Sequence, residues 1–531
     1  MKNLKILICG GYNTNFLEEY LEKGCLKNNI QIIQKHLPYN VFRTVFFNDK
    51  KELVIFKPDY IYFCIGVEHF SLVNVTKETN EFIKFLLLVQ KIYQCDLIVN
   101  NLIYPRLQDS AMSVKINYFN SKLDLMKKNG IYKIDCLKLA QNIGFNNWYS
   151  ERDFFLTKNP CDFDHLNTYV ENIVKFLSAQ CGNFHKLVIV DLDNTMWGGV
   201  VGDVGVQNIK IGIDDAESES YSYFQRYLKS LHKNGLLFAI SSKNDIKIIQ
   251  KVFKNRIMPF SLADFSYIVC DWTSKAIHIK DICSYLNISY SSTIFIDDNP
   301  AERYIVKKTF PEITVPKMSI DSSSYVRNIE ACINLSNFET SKTDLIRGKS
   351  FKSKDKRSRI IFENKNSSIK LLKTKLTFSK FNSDNISRVS QLFSKTNQFN
   401  LTQKQYGIGT LKNLSAKKNI FHLCVNVSDR FGDLGLVIAI LGRVTNKKLY
   451  IENWVMSCRV FSRDLELATL SKVISYCKKE NINKITIPYN QTVKNTYAIQ
   501  ALDVIIKKKN RLSYVINTND ILVKNLESEQ S

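Results

Sequence analysis

Proline and glycine are scarce, nine and nineteen in 531 residues. Fibrous, collagen-like and low-complexity chains need far more of one or both, so those classes are excluded. No apolar run approaches the roughly 20 residues that span a bilayer. The longest, such as 85–89 and 436–441, are too short even for a signal-peptide core. The start, MKNLKILICGG, is basic but carries only a brief apolar stretch, so a cytoplasmic location and no membrane insertion are expected. The thirteen cysteines contain no CxxC and no Cys/His spacing that would hold zinc. In a reducing compartment most of them are expected to be small buried apolar residues, with one available for chemistry.

What is present excludes disorder. Apolar residues make up 45% and aromatics 12%, enough for sizeable cores. A chain of 531 residues exceeds one core, so two to four domains are expected. Net charge is 74 − 50 = +24, and a third of that excess falls in the 33 residues 341–373. Such a balance favours an acidic partner. No zinc finger, basic zipper or RNA-recognition signature accompanies it, so nucleic acid is not expected.

Strands alternate with helical patterns in the first 182 residues, where 4–9, 60–65 and 97–100 read as buried strands of a parallel sheet. A second doubly wound α/β unit is expected over 183–338, with strands at 187–190, 236–240, 267–270, 293–296 and 313–315. Residues 339–374 read as a basic linker, 375–515 as an α+β unit and 516–531 as a frayed acidic tail.

The string LVIVDLDNTMWGG carries the most chemistry. An apolar strand ends in Asp191, with Asp193 two residues on. In a parallel α/β sheet the ligand site lies outside the carboxyl ends of the strands. Two carboxylates there can share a Mg²⁺, one can attack phosphorus and its neighbour can move a proton. The second strand ends in Ser241-Ser242-Lys243-Asn244, donors for a phosphate. Lys275 begins the next helix, and 293–296 ends in Asp297-Asp298. One such string is compatible with a capped turn; four strand ends in one unit point to a site.

DLDNT, the serine after the second strand, the lysine and FIDDNPAER resemble the four motifs of the haloacid dehalogenase superfamily. The longer strings DLDNTMWGGVVGD, WTSK and FIDDNPAER are similar to its subclass IIIC, the FkbH-like proteins. The resemblance implies Asp191 as nucleophile through an aspartyl-phosphate, Asp193 as general acid/base and Lys275 as the lysine beside the phosphate. It implies phosphoryl binding by Ser242, with Ser241 adjacent and the register open, and places Thr195 and Asn244 at the substrate. Asp191, Asp193, Asp297 and Asp298 would hold Mg²⁺. Ser274 stands where the family usually has proline. About fifty residues separate Asp191 from Ser241, room for a flap but not for a large cap.

SKTNQFNLTQKQY (394–406), FGDLGLVIAIL (431–441) and NWVMSCRVFSRDLE (453–466) look like the same family's domain that resembles Gcn5-type N-acetyltransferases. Such domains hold a pyrophosphate on a Gly-rich loop at a helix start. Here that loop is RVFSRD, without glycine, which weighs against coenzyme A and makes carrier-bound phosphopantetheine the expected substitute ligand. Cys458 precedes Arg459, a cation that would favour its thiolate if a turn brings the two side chains together. Its expected role is to hold an acyl group. The segment 397–400, NQFN, is either a substrate contact or an Asx turn.

The element order of the N-terminal region resembles SGNH-type hydrolases. The place of the nucleophilic serine reads Gly10-Gly11-Tyr12-Asn13-Thr14, while Asp162 and His165 match the Asp-x-x-His block. Without the serine no acyl-enzyme forms, so a non-catalytic unit is expected.

Together these resemblances imply an FkbH-like glyceryl transferase/phosphatase, Mg²⁺-dependent, that dephosphorylates D-1,3-bisphosphoglycerate and loads a glyceryl unit onto an acyl carrier protein, as in polyketide biosynthesis. The alternatives are a phosphatase of a phosphorylated sugar or metabolite in surface-polysaccharide or secondary-metabolite synthesis, and an acyl-coenzyme A-dependent N-acetyltransferase.

Overall fold

The computed structural model describes residues 2–48, 50–70, 74–103, 110–335, 373–430, 432–461, 463–492, 495–506, 509–510 and 512–518. The basic linker and the acidic tail read from the sequence lie almost wholly outside them. The chain is a multidomain α/β protein, and its described residues form three sheets.

The first sheet is all parallel. It runs in the order β2 (Ile30–His36), β1 (Lys2–Gly10), β3 (Tyr60–Cys64), β4 (Asp96–Asn100), β5 (Ile131–Ile134). Side chains alternate across a strand. Ile6 and Ile8 therefore join a core on one face of the sheet, and Leu7 and Cys9 join a second core on the other. Burial on both faces is why these strands read as continuous apolar runs. The sequence pattern does not reveal β2 and β5; β2 alternates buried and open positions because it is an edge strand.

The second sheet is also parallel, in the order β8 (Phe265–Cys270), β7 (Leu237–Ser242), β6 (Leu187–Val190), β9 (Thr293–Ile296). Val188 and Val190 pack on one face, Leu187 and Ile189 on the other. The expected strand at 313–315 is reduced to one bridge, Ile294 to Thr314. Between β6 and β7 the chain forms a small flap, closed by paired hydrogen bonds between Gly198 and Lys210 (3.0 and 2.9 Å). The helix Ala216–Lys233 follows, capped by Asp215.

The third sheet is mixed: β10 (Lys375–Ser379), β11 (Ile420–Asp429), β12 (Gly432–Thr445), β13 (Lys448–Met456), β14 (Lys484–Pro488), β16 (Ser513–Asn517), β15 (Lys509–Asn510). Strands β13 and β14 run parallel for three pairs only, Lys448 to Tyr450 against Lys484 to Thr486, then part. Residues 399–402 fill the gap. Met456 N–H donates to Phe399 O (3.0 Å), Leu401 N–H to Trp454 O (3.2 Å) and Asn490 N–H to Leu401 O (2.8 Å). Phe399 and Leu401 are fully buried there. The end of NQFN is thus an inserted strand-like segment in the core.

All thirteen cysteines are free thiols, ten of them buried; Cys270, Cys332 and Cys458 are half-buried. Among the described residues no helix is long and apolar enough to cross a membrane.

Candidate active site

The carboxyl edge of the second sheet gathers four charged side chains. Strand β6 ends at Val190 and delivers Asp191, whose N–H donates to Ile296 O of β9 (2.9 Å). Strand β9 in turn delivers Asp297 and Asp298. One carboxylate oxygen from each of Asp191, Asp297 and Asp298 lies within 4.8 Å of the others. Lys275 begins the Lys275–Leu286 helix, and its Nζ stands 3.0 Å from Asp191 Oδ1 and 2.5 Å from Asp297 Oδ2. Ser274, in the family's proline position, caps that helix by accepting from Ala276 N–H.

Burial governs the electrostatics. It pushes the Asp191 carboxyl up to about 6, with the Asp297 charge adding to the rise and Lys275 opposing it. Asp297 and Asp298 are raised by burial as well. Burial works against the Lys275 ammonium, but its two carboxylate partners prevail and its pKa is raised. Three carboxylates and one ammonium sum to −2 when ionised, which one divalent cation balances. The donor set is all carboxylate oxygen, the hard ligands Mg²⁺ prefers. The residues fit that ion.

The other expected site residues take different places. The Asp193 carboxylate is outside the three-carboxylate group. Its Oδ1 accepts from Trp197 Nε1 (2.9 Å) and Val201 N–H (3.1 Å), and its Oδ2 from Asn244 Nδ2 (2.9 Å). As a side-chain metal ligand Asp193 is therefore corrected: the flap holds its carboxylate. Thr195 is fully buried, and its hydroxyl bonds Asp298 (Oγ1 to Oδ1 3.3 Å, N–H to Oγ1 3.1 Å). It positions Asp298. Asn244 bridges Asp193 and Ser242 (3.1 Å to Ser242 Oγ). Ser242 thus belongs to the Asp193 side of the strand, while Ser241 turns to His278 Nδ1 (3.1 Å).

Arg303 has no role that the sequence pattern assigns. Its Nη1 donates to the carbonyls of Asp297 (2.8 Å) and Asp298 (2.5 Å), clamping the loop that carries both carboxylates. Lys243 pairs with Glu302 at 2.6 Å, tying the end of β7 to the same helix turn. The signal was the PAER string, a helix start with opposite charges beside a strand-end carboxylate pair.

Cys458 is not brought to Asp191. It opens a short 3-10 turn, Cys458–Val460, after β13, and this turn places Cys458 and Arg459 on one cleft. Lys186, the residue before β6, lines the same cleft. The loop expected to hold a pyrophosphate is occupied from within. Arg463 makes a buried 3.0 Å ion pair with Asp429, and Phe461 stacks on Tyr497 at 4.0 Å. Glu466, buried in the first turn of the Leu465–Lys479 helix, adds a carboxyl that burial pushes up.

No protein-family model matches the chain, and no curated protein matches it. Among solved structures it is similar to the N-terminal part of the protein BF1531 from Bacteroides fragilis, containing a phosphatase domain and complexed with Mg. The TM-score is 0.59 at 24% identity, over 63% of this chain and 94% of that one. That likeness shows the fold. Shorter matches are the ribosomal-protein-S18-alanine N-acetyltransferase from Escherichia coli (TM-score 0.22, 9% identity, 28% of this chain, 96% of that one). Another is an acetyltransferase of the GNAT family from Staphylococcus aureus (0.22, 13%, 27%, 100%).

Proposed function

We propose that the chain is a Mg²⁺-dependent phosphatase acting through an aspartyl-phosphate on Asp191. The observation that carries this is the convergence of Asp191, Asp297 and Asp298 around Lys275 at the carboxyl edge of a parallel sheet. Lys275 holds Asp191 Oδ1, which leaves Oδ2 to attack phosphorus. The bond from phosphorus to the leaving oxygen breaks, and Asp193, two residues on, protonates that oxygen. Water then attacks the phosphorus of the acyl-phosphate mixed anhydride, gives its proton to Asp193 and restores both carboxyl groups. Mg²⁺ held by Asp191, Asp297 and Asp298 would neutralise charge on the transferred oxygens.

The narrower reading takes D-1,3-bisphosphoglycerate as substrate. Asp191 removes the ester phosphate, and the acyl-phosphate end acylates a carrier protein thiol with loss of the second phosphate. Its support is the likeness of DLDNTMWGGVVGD, WTSK and FIDDNPAER to FkbH-like proteins, together with a +24 charge that suits an acidic carrier. The self-filled Arg459–Asp464 loop weighs against the N-acetyltransferase alternative.

The test is phosphate release from D-1,3-bisphosphoglycerate in Mg²⁺, with and without an acyl carrier protein. Asp191→Asn should abolish release of the ester phosphate while circular dichroism stays unchanged. Near-normal turnover by that variant removes the mechanism. Release with no glyceryl-sized mass gain on the carrier leaves a plain phosphatase of a phosphorylated sugar or metabolite.

A further inference from the structure

The loop between β8 and the Lys275–Leu286 helix runs out from the sheet edge and back. Val190 pairs with Ile240, and Ser241 with Val269, so Val269 stands level with Asp191 across the sheet. At the far end of the loop Lys275 returns to the Asp191 carboxylate, 3.0 Å from its Oδ1. Trp272 lies midway between Val269 and Lys275, at the apex. Two steps of about 4.8 Å, from β6 to β7 and from β7 to β8, set it roughly 10 Å from Asp191 across the sheet. Its side chain is 76% exposed, whereas Trp148, Trp197 and Trp454, the chain's other tryptophans, are fully buried.

The loop that carries this ring is fixed. Asp271 Oδ1 accepts from Thr273 N–H (2.8 Å) and from Thr273 Oγ1 (2.6 Å), an Asx turn closed around Trp272. His278, buried one turn into the helix, places Nε2 2.9 Å from the same oxygen and Nδ1 3.1 Å from Ser241 Oγ. The Thr273 and His278 hydrogen bonds hold the Asp271 carboxyl down to about 2, so it stays ionised throughout the neutral range. A buried histidine, a charged carboxylate and a strand-end hydroxyl thus set the place of a side chain that itself remains in water. A large aromatic ring on a loop already ordered offers contact area with little further entropy to lose on binding.

We infer that Trp272 binds the organic part of the substrate held at Asp191, and that this substrate is a phosphate monoester with a partly apolar arm reaching about 10 Å or more from phosphorus. The inference rests on the phosphatase reading for the place of the phosphate and goes beyond it in naming the class of leaving group. A free three-carbon phosphate is too short to touch both residues. A three-carbon unit joined to a longer arm reaches both. The Asp271–His278–Ser241 chain of hydrogen bonds acts through Trp272, as the support that keeps the ring at that distance.

Because the other tryptophans are buried, acrylamide quenching of tryptophan fluorescence reports on Trp272, with Trp272→Phe as the blank. The full-length protein in Mg²⁺ is given 4′-phosphopantetheine as the extended ester, glycerol 3-phosphate as the short one, and pantetheine as the arm without phosphate. Quenching is read before a tenth of either ester is consumed, and phosphate release is followed in parallel. The extended ester should shield Trp272 saturably, lowering the quenching constant about twofold or more, while the short ester and pantetheine should not. Trp272→Ala should lower the ratio of kcat/KM for the extended ester over the short one by about tenfold, chiefly through KM, and Trp272→Phe should restore most of that ratio. Shielding by 4′-phosphopantetheine with no phosphate released from either ester would support the binding assignment and count against the phosphatase reading. Phosphate release with no shielding, equal shielding by glycerol 3-phosphate or by pantetheine, or an unchanged ratio in Trp272→Ala would each overturn the role of Trp272 and leave the phosphatase standing.

Discussion

Asp96, the first residue of β4, accepts a 2.9 Å hydrogen bond from the backbone N–H of Gly409, 313 residues further along the chain. The carboxyl caps the Ile408–Ser415 helix of the third-sheet unit, and glycines make the approach possible. A Cβ at Gly407 would meet Asp96 Oδ2 at 1.9 Å, and one at Gly409 would meet Gln90 Nε2 at 2.5 Å. Beside them Lys412 Nζ reaches Asn129 Oδ1 (2.8 Å).

That joint should respond to pH. Burial pushes the Asp96 carboxyl up to about 7, against the pull of the Gly409 N–H. A folded-state value above the unfolded one means the folded protein keeps the proton longer. The contribution is therefore full below about pH 4 and is lost as pH rises through about 7. Asp96→Asn keeps an acceptor and cannot ionise. It should be the more stable protein at pH 8, by on the order of 1–4 kcal/mol, with the gap closing at low pH. Thermal unfolding midpoints at pH 5 and pH 8 check this, and equal midpoints at pH 8 would sink it.

Lys275 holds two buried carboxylates that would otherwise repel. Removing one partner of a buried pair costs about 3–5 kcal/mol, so Lys275→Met should lower the unfolding midpoint as well as stop phosphate release. Mg²⁺ should restore part of the lost stability, and should raise the variant's midpoint more than the wild type's. No difference between the two responses would remove the divalent ion from this cluster.

The N-terminal unit should not hydrolyse esters. Thr14 is buried, its Oγ1 lies 2.9 Å from His36 Nδ1, and His36 Nε2 faces Gln34 rather than an acid. Asp162 is spent on the N–H of Asp164 as a helix cap. Hydrolysis of p-nitrophenyl acetate should be the same in wild type, Thr14→Ala and His165→Ala. A loss confined to either variant would reveal a working nucleophile or base.

Acetyl-coenzyme A should not bind the third-sheet unit. At about 1 mM, a concentration that would saturate any site of useful affinity, it is expected to leave the unfolding midpoint unmoved. Arg463→Met, by contrast, should lower stability by about 3–5 kcal/mol by removing the buried ion pair with Asp429. A saturable stabilisation by acetyl-coenzyme A would restore the acetyltransferase reading.

The carboxylate strand end is legible in the sequence because every part of it is local. An apolar run that ends in an acid is one short string, and a parallel sheet collects such ends along one edge. Asp191, Lys275, Asp297 and Asp298 stand out from their strings alone. The roles of their neighbours do not. DLDNT gives no sign that Asp193 is held by Trp197 and Asn244, or that Thr195 serves Asp298, because hydrogen-bond partners depend on how the flap folds back.

The chain's periodicity determined its central strands, its α/β class and the sheet edge where the carboxylates gather. Residue order in a strand dictates which side chains face which core and which residue stands at the end. Tertiary structure alone decided the rest: the 399–402 insert between β13 and β14, the Asp96–Gly409 joint and the cleft on Cys458. Lys186, Glu312, Arg388 and Arg459 line that cleft and share no period and no motif. They meet because two folded units present complementary surfaces, and the free energy of that packing is written in shape and charge across hundreds of residues.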